Sequence, residues 1–199
     1  MKPAFETAKK AGVPIMAVVQ MLSDQSLSAS YVGGDDVSAG RAQMEKTLAA
    51  MGNKGSIAIL YGPMGSDGQL ARKKGYDEVL AKNPDVKVEF EQSANWVTDE
   101  ALKITENWLQ TGKAVNAVVA QNDGMALGAA KAISDAQQTD KIVVSGVDAT
   151  TEGLAAIEAG QMLGTVSQDT AGMGAKSVDT MIKVAKGETV EAKYLTTPI

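Results

Sequence analysis

The sequence predicts a parallel α/β fold made of doubly wound sheets. Short apolar stretches, several of them rich in β-branched residues, recur along the chain, and most are followed by a stretch with the composition or the period of a helix. Largely apolar segments, as in 56–61 and 114–120, are typical of strands that are buried on both faces. Strands that alternate with helices in this way form parallel sheets joined by right-handed crossovers.

Each element of the first half is predicted from its own residues. A helix over 4–11 ends at Gly12, and Pro14 stands near the start of a strand over 13–19, where a missing N–H is tolerated. Asp36 is a suitable N-cap for a helix that continues to Met51 and closes at Gly52. The other strands are expected at 31–34, 56–61 and 86–90, and the other helices after the 62–68 loop to about 81 and over 98–109.

The segment 114–130 is the clearest strand–helix unit of the chain. Its apolar strand ends at Ala120, and a helix rich in Ala, Leu and Met follows to about Ala136. Asn122 and Asp123 stand at the junction, the edge at which open α/β sheets bind ligands. Asp123 is predicted to cap the helix, which leaves Asn122 without a structural role. The remaining strands are expected at 141–147 and 162–166 with an extended piece at 194–199, and the remaining helices end at Gly160 and Gly187.

The amino-acid composition limits the classes of function that this chain can have. The 199 residues are enough for one good core or two small lobes, and a net charge of −5 argues against nucleic acid or an anionic membrane surface as the main partner. Histidine and cysteine are absent, which excludes Ser–His and Cys–His nucleophiles and ordinary zinc sites. An enzyme is therefore the less favoured class, and no cofactor or metal is predicted. No apolar run spans a bilayer, and the absence of a secretion signal favours a mature form or a chain without its front.

Several polar groups and one aromatic ring are expected at a single edge of the sheet. Trp96, Asn122 and Asp148 each follow one of three successive strands, and Arg72 lies in the helix after an earlier strand. Such convergence favours a small-molecule site. Each residue also has a structural alternative: Arg72 as an exposed arginine, Trp96 as a lid on the helix below it, and Asp148 as a helix cap.

The glycine-rich loop 62–68 allows two further interpretations. Ser66 and Gln69 have the spacing of a capping box. A loop of this kind before a helix can also cradle phosphate, but it lacks the Lys-Ser/Thr ending of a P-loop.

The chain resembles the ribose-type periplasmic sugar-binding proteins of ABC transporters, members of the type I periplasmic binding protein family. The resemblance covers nearly all of the chain. Its most specific part is the run Ala120-Gln121-Asn122-Asp123-Gly124-Met125-Ala126-Leu127-Gly128-Ala129 together with Asp148; the weaker matches are Gly12-Val13-Pro14, Ala71-Arg72-Lys73-Lys74-Gly75-Tyr76, Gly146-Val147 and Lys186-Gly187-Glu188.

The resemblance implies a binding function without catalysis. In that family two α/β lobes close about a hinge on a sugar, and the matching positions imply that Arg72, Asn122 and Asp148 bond its hydroxyls. Trp96 would pack on the sugar face, and Gln168 would be a hinge-side polar ligand. The expected function is solute binding for an ABC transporter permease in the periplasm, with a monosaccharide or small polyol as ligand. The alternative is the effector-binding core of a lactose-repressor-type regulator.

Two departures from the family pattern bear on ligand and assembly. Ribose-binding members have Asp-Arg after the proline-containing strand, where this chain has Val19-Gln20, so ribose itself is not implied. By analogy, residues 36–168 form a complete C-terminal lobe, and 1–35 with 169–199 form a partial N-terminal lobe. A partial lobe exposes sheet edges and apolar faces, so we expect a fragment, an internally started product, or a homo-oligomer or swapped form.

Overall fold

The structure is a computed structural model that describes residues 2–198. Helices and strands alternate along the chain, as the sequence predicts. In order they are α1 (Lys2–Lys10), β1 (Met16–Val18), a 3₁₀ turn (Gln25–Leu27), β2 (Ser30–Gly34), α2 (Asp36–Ala50), β3 (Gly55–Tyr61), α3 (Asp67–Leu80), β4 (Val86–Ser93), α4 (Thr98–Gln110), β5 (Ala117–Ala120), α5 (Asp123–Asp135), β6 (Val143–Val147), α6 (Thr151–Glu158), β7 (Gly164–Val166), α7 (Thr170–Ala185) and β8 (Lys193–Thr196).

The described residues divide into two compact units. The larger contains residues 36–167, and the smaller contains residues 2–35 together with 168–198. Gln168, which the sequence analysis placed at the end of the larger lobe, therefore groups with the smaller unit. Each unit has its own sheet, of five strands in the larger and three in the smaller.

The larger unit is a doubly wound parallel sheet with strand order β4-β3-β5-β6-β7. Alternate residues of β3 point to opposite faces: Ala58 and Leu60 pack with α4 and α5, whereas Ile57 and Ile59 pack with α2 and α3. Trp108 lies in the first of these cores, as its place on the apolar stripe of α4 predicts. The prediction of a parallel α/β fold is confirmed.

Helices α2 and α3 approach closely because each has a glycine at the contact. A Cβ atom on Gly40 would lie 2.3 Å from the carbonyl oxygen of Arg72, and one on Gly75 would lie 2.3 Å from that of Val37. No side chain larger than hydrogen fits at either position without moving the backbone of the other helix. This packing fixes the backbone of Arg72 against α2.

The smaller unit is a parallel sheet of order β1-β2-β8 with α7 packed on β1 and β2. Tyr31 and Val32 of β2 are buried, and so is Met173 of α7. Strand β1 is shorter than the 13–19 predicted from sequence, because it follows Pro14 and ends before Val19, whose φ of 66° leaves the extended region. Within residues 2–198, no helix is long and apolar enough to cross a membrane.

Candidate functional site

The candidate site is the carboxyl edge of the five-stranded sheet. Because all five strands are parallel, the segments after β3, β4, β5 and β6 emerge at this one edge. The structure brings four predicted residues to it: Arg72 in α3, Trp96 after β4, Asn122 after β5 and Asp148 after β6. The fifth, Gln168, belongs to the smaller unit.

Arg72 is buried, so its interpretation as an exposed arginine is wrong. Its Nε donates to Oδ1 of Asp36 at 2.9 Å, and the two side chains are only 7% and 15% exposed. Its Nη1 donates to the carbonyl oxygen of Gln121. A buried guanidinium requires such partners, because its desolvation is otherwise unfavourable. Among the described residues, these contacts leave Nη2 as the nitrogen without a hydrogen-bond acceptor.

Trp96 is half-buried and lies against the same arginine. The guanidinium carbon of Arg72 is 5.7 Å from the centre of the indole, within the range of a cation–π interaction. The indole rests on Gly62, where an added Cβ would lie 2.0 Å from the ring. Asn95 and Trp96 have φ values of 53° and 64°, a conformation that non-glycine residues rarely adopt. The chain thus adopts a strained turn that places an aromatic ring at the sheet edge.

Asn122 is the N-cap of α5, so the prediction that Asp123 caps this helix is wrong. The side-chain oxygen of Asn122 accepts from the backbone N–H of Met125 at 2.9 Å. Its Nδ2 has no hydrogen-bond partner among the described residues. The amide nitrogen of Asn122, with its two N–H donors, is therefore not used by the cap, while its oxygen caps the helix.

Asp123 is the first helical residue of α5 and is buried. Its Oδ2 accepts from the backbone N–H of Thr150 at 2.8 Å, and its Oδ1 accepts from the hydroxyl of Thr165 at 2.6 Å. These partners lie 27 and 42 residues away in sequence, after β6 and in β7. Asp123 therefore joins three neighbouring segments of the edge.

Asp148 follows β6 with an unusual backbone conformation. Its φ is 119° and that of Ala149 is 51°. The N-cap of α6 is Thr150, whose side chain accepts from the backbone N–H of Gly153, so the capping role considered for Asp148 is wrong. A half-buried carboxyl group on strained backbone at a sheet edge is typical of binding sites.

Gln168 lies in the smaller unit next to Gly34. A Cβ atom on Gly34 would lie 3.2 Å from Oε1 of Gln168. The carbonyl oxygen of Gln168 accepts from the N–H of Thr170 at 2.8 Å, and Asp169 caps α7 through the N–H of Gly172. Gln168 therefore lies immediately before the N-cap residue of α7.

Sequence reasoning gave no role to Gln121, which organises the edge from within. This buried side chain accepts from the N–H of Gly62 and donates to the carbonyl oxygen of Gln69, both at 3.0 Å. Its one sequence signal is a polar residue that directly follows an apolar strand. Asp36 was also misjudged: it is the first residue of α2 and the ion-pair partner of Arg72, not an N-cap.

Backbone amides of the 62–68 loop donate to acceptors within the protein. Gln121 binds the N–H of Gly62, and Oε1 of Gln69 accepts from the N–H of Gly65 at 3.0 Å. The N–H of Ser66 donates to the carbonyl of Pro63, so these amides point to protein acceptors instead of a phosphate. Ser66 makes no side-chain cap, and the predicted capping box is wrong. Within residues 2–198, no group of three or more acidic side chains is placed to hold a metal ion.

A parallel α/β sheet here gathers a paired guanidinium, an indole and carboxyl and amide groups at its carboxyl edge, the position at which open α/β sheets bind ligands. The chain belongs to the periplasmic binding protein family, whose domain model matches residues 1–189.

Named relatives of this family resemble the chain over most of its length. The xylitol-binding protein of Mycolicibacterium smegmatis is 42% identical over 168 residues, which cover 84% of this chain and 48% of that protein. The ribose import binding protein of Escherichia coli is 31% identical over 191 residues, covering 96% and 64%. This chain thus spans between 48% and 64% of the length of these relatives.

Solved structures show the same fold. An ABC transporter periplasmic solute-binding protein from Actinobacillus succinogenes with bound D-allose superposes with a TM-score of 0.91 at 32% identity, covering 99% of this chain and 72% of that one. An ABC transporter solute-binding protein from Bacillus halodurans with bound myo-inositol superposes with a TM-score of 0.89 at 32% identity, covering 98% of this chain and 67% of that one. The family resemblance read from the sequence is confirmed.

Proposed function

We propose that this chain is the solute-binding component of an ABC transporter and that it recognises a monosaccharide or a small polyol in the periplasm. It would deliver this ligand to the membrane permease without chemical change. The observation that carries the proposal is the buried Arg72 guanidinium, fixed by Asp36 and set against the half-buried Trp96 ring at the sheet edge.

The chemistry of these two groups suits a sugar. A sugar presents hydroxyls around its rim and C–H groups on its faces, so it needs charged or amide partners beside an aromatic surface. Nη2 of Arg72 would donate to a hydroxyl oxygen, and the Trp96 ring would cover a C–H face. A hydrogen bond to a charged group contributes roughly 1.5–3 kcal/mol, which is enough to orient a small ligand.

Asn122, Asp148 and Gln168 complete the proposed ligand set. Nδ2 of Asn122 would donate to a ligand oxygen, because its own oxygen is occupied by the cap of α5. The Asp148 carboxylate would accept from a hydroxyl hydrogen, a role that Arg72 and Nδ2 cannot fill. Gln168 would add a donor or an acceptor. Hydroxyls both donate and accept, so this mixed set matches their chemistry.

The relatives support a neutral, hydroxyl-rich ligand and a transport role. Their names record xylitol, ribose and D-allose binding, and the solved structures hold D-allose and myo-inositol. These relatives are described as binding proteins and not as enzymes. None of the relatives described above supports the alternative of a lactose-repressor-type regulator.

A thermal-shift screen of this chain against pentoses, hexoses and polyols tests the proposal. A ligand present at a hundred times its dissociation constant stabilises the folded state by about 2.7 kcal/mol. We expect a shift that Trp96→Ala and Asp148→Asn each reduce. Asp140→Asn is the matched control, since it makes the same chemical change at an exposed position before the opposite end of β6. Equal shifts for Asp148→Asn and the wild type would contradict the proposed site.

We also propose that the smaller unit is covered by a second copy of the chain, as a homo-oligomer or a swapped form. Its exposed apolar side chains support this assembly, notably Val178 and Ile182 of α7 and Val13 and Leu195 near the sheet. Size-exclusion chromatography with light scattering is the test. A compact, monodisperse monomer would rule this assembly out.

A further inference from the structure

The loop after β6 carries two consecutive residues in an unfavourable backbone conformation. Asp148 has a φ of 119° and Ala149 a φ of 51°, and neither is a glycine. Such residues persist only where the surrounding structure holds them. The φ of Asp148 determines the direction of its side chain from the sheet edge. The groups that hold this loop therefore also set the direction of the Asp148 carboxylate, which is proposed to bind the ligand.

The hydrogen bonds that hold the loop converge on Asp123. Oδ2 of Asp123 accepts from the N–H of Thr150 at 2.8 Å and from its hydroxyl at 3.2 Å. Oδ1 accepts from the hydroxyl of Thr165 at 2.6 Å, and the oxygen of that hydroxyl accepts from the N–H of Ala149 at 3.1 Å. Both residues that follow Asp148 are therefore tied, directly or through one hydroxyl, to a single carboxylate.

Two glycines make room for this carboxylate. A Cβ atom on Gly146 would lie 2.2 Å from Oδ1 of Asp123, and one on Gly153 would lie 2.4 Å from Oδ2. Asp123 itself is 0% exposed. A wholly buried carboxylate is costly unless its oxygens are satisfied, and here both are engaged by donors from the strained loop and from β7. The arrangement needs two acceptor atoms, and an amide at this position would supply only one.

We infer that Asp123 is a positioning residue for ligand binding. It holds the Asp148–Ala149 backbone so that the Asp148 side chain is already oriented for the ligand. This inference rests on the proposed sugar-binding function. Asp123 acts through Asp148 and does not touch the ligand. Its loss should therefore lower affinity only while the Asp148 carboxylate is present.

The experiment is a double-mutant cycle on sugar affinity combined with amide hydrogen exchange on the same full chain. Asp123→Asn and Thr165→Val are each measured alone and with Asp148→Asn. Thr165→Val keeps the shape and the strand propensity of the residue, so it serves if Asp123→Asn fails to fold. Ser145→Ala is the matched control, because it removes a buried hydroxyl from β6 that bonds Thr47 of α2 and not this loop.

Asp123→Asn and Thr165→Val should each weaken binding roughly tenfold, a typical coupling within one hydrogen-bond network, and should have almost no effect when Asp148 is already asparagine. The amides of Ala149 and Thr150 should exchange faster in both variants, without ligand, and Ser145→Ala should leave both readouts unchanged. Equal weakening in the two Asp148 backgrounds, or unchanged exchange at these amides, would overturn the inference. If the wild type bound no sugar on the panel, the proposed function would fail, and the exchange rates would still decide whether Asp123 holds the loop.

Discussion

Arg72 and Asp36 form an ion pair with 2.9 Å between Nε and Oδ1, although they are 36 residues apart and lie on different helices. The pair is largely shielded from solvent and sits where Gly40 lets α2 approach the backbone of Arg72. Helix packing thus fixes the backbone of Arg72, and the ion pair fixes its guanidinium. Protein groups alone therefore hold that guanidinium in one orientation at the sheet edge.

Asp36→Asn should destabilise the larger unit by about 3 kcal/mol, because removal of one partner leaves a buried charge uncompensated. Urea unfolding followed by circular dichroism measures the loss. The control is Glu78→Gln, which breaks a 2.7 Å pair with Arg41 between side chains that are 39% and 37% exposed. Its effect on the unfolding midpoint should be small, since solvent screens exposed pairs. Similar losses for the two variants would mean that burial does not set the strength of the Arg72 pair.

Gln121→Leu should remove the internal support of the loop after β3. It leaves the N–H of Gly62 without its acceptor and removes a donor to the carbonyl of Gln69, and a buried unsatisfied group costs about 1–3 kcal/mol. Because Trp96 rests on Gly62, its fluorescence should also change. We would measure both effects in a Trp108→Phe background, in which Trp96 is the one tryptophan. An unchanged Trp96 spectrum would contradict the proposed support.

The sheet could be predicted from the sequence because a strand that is buried on both faces is made of a short, largely apolar segment, which is visible locally in the sequence. It misassigned Asn122 and Asp123 because both residue types cap helices, and the choice depends on partners outside the segment. Thr150 and Thr165 donate hydrogen bonds to the carboxylate of Asp123, and Asn122 caps the helix instead. These contacts depend on strand order, which no local pattern records.

The candidate site shows the same division between local and distant information. The sequence alone predicted which strand each of these residues follows. The burial of Arg72 was not, because it depends on Asp36 across the contact between α2 and α3. The strained φ values at Trp96 and Asp148 were also unreadable, since neither residue type signals that conformation.

Stability should fall as pH rises above about 10, the ordinary tyrosine value. Burial raises the pKa of Tyr76, and burial with a hydrogen bond to Glu91 raises the pKa of Tyr61. The unfolded chain therefore loses these protons before the folded chain does, so the stabilisation present below pH 10 is lost progressively above it. For Tyr76 the slope should approach about 1.4 kcal/mol per pH unit.

Unfolding midpoints between pH 8 and 11.5 test this dependence. Tyr76→Phe should flatten the alkaline slope, even though it lowers stability at pH 8 by leaving Oε1 of Gln43 without the tyrosine hydroxyl that donates to it at 2.5 Å. An alkaline slope that is the same in Tyr76→Phe and the wild type would assign the effect to other groups.

Ala149→Gly should separate stability from binding. A non-glycine residue at a φ of 51° carries a strain of about 1–2 kcal/mol, and glycine removes it at an entropic cost of about 0.5–1 kcal/mol. The folded state should therefore gain up to about 1.5 kcal/mol. Sugar binding should weaken nonetheless, because the added backbone freedom must be lost when Asp148 engages the ligand.

Gln137→Gly is the control for Ala149→Gly, since Gln137 has a φ of 56° just beyond the end of α5 and is exposed. It should stabilise the chain by a similar amount, as glycine does after a helix, and leave sugar affinity unchanged. Calorimetric titration alongside urea unfolding gives both quantities for each variant. If Ala149→Gly bound sugar as tightly as Gln137→Gly, the strained loop would not contribute to recognition, and its conformation would be a consequence of packing alone.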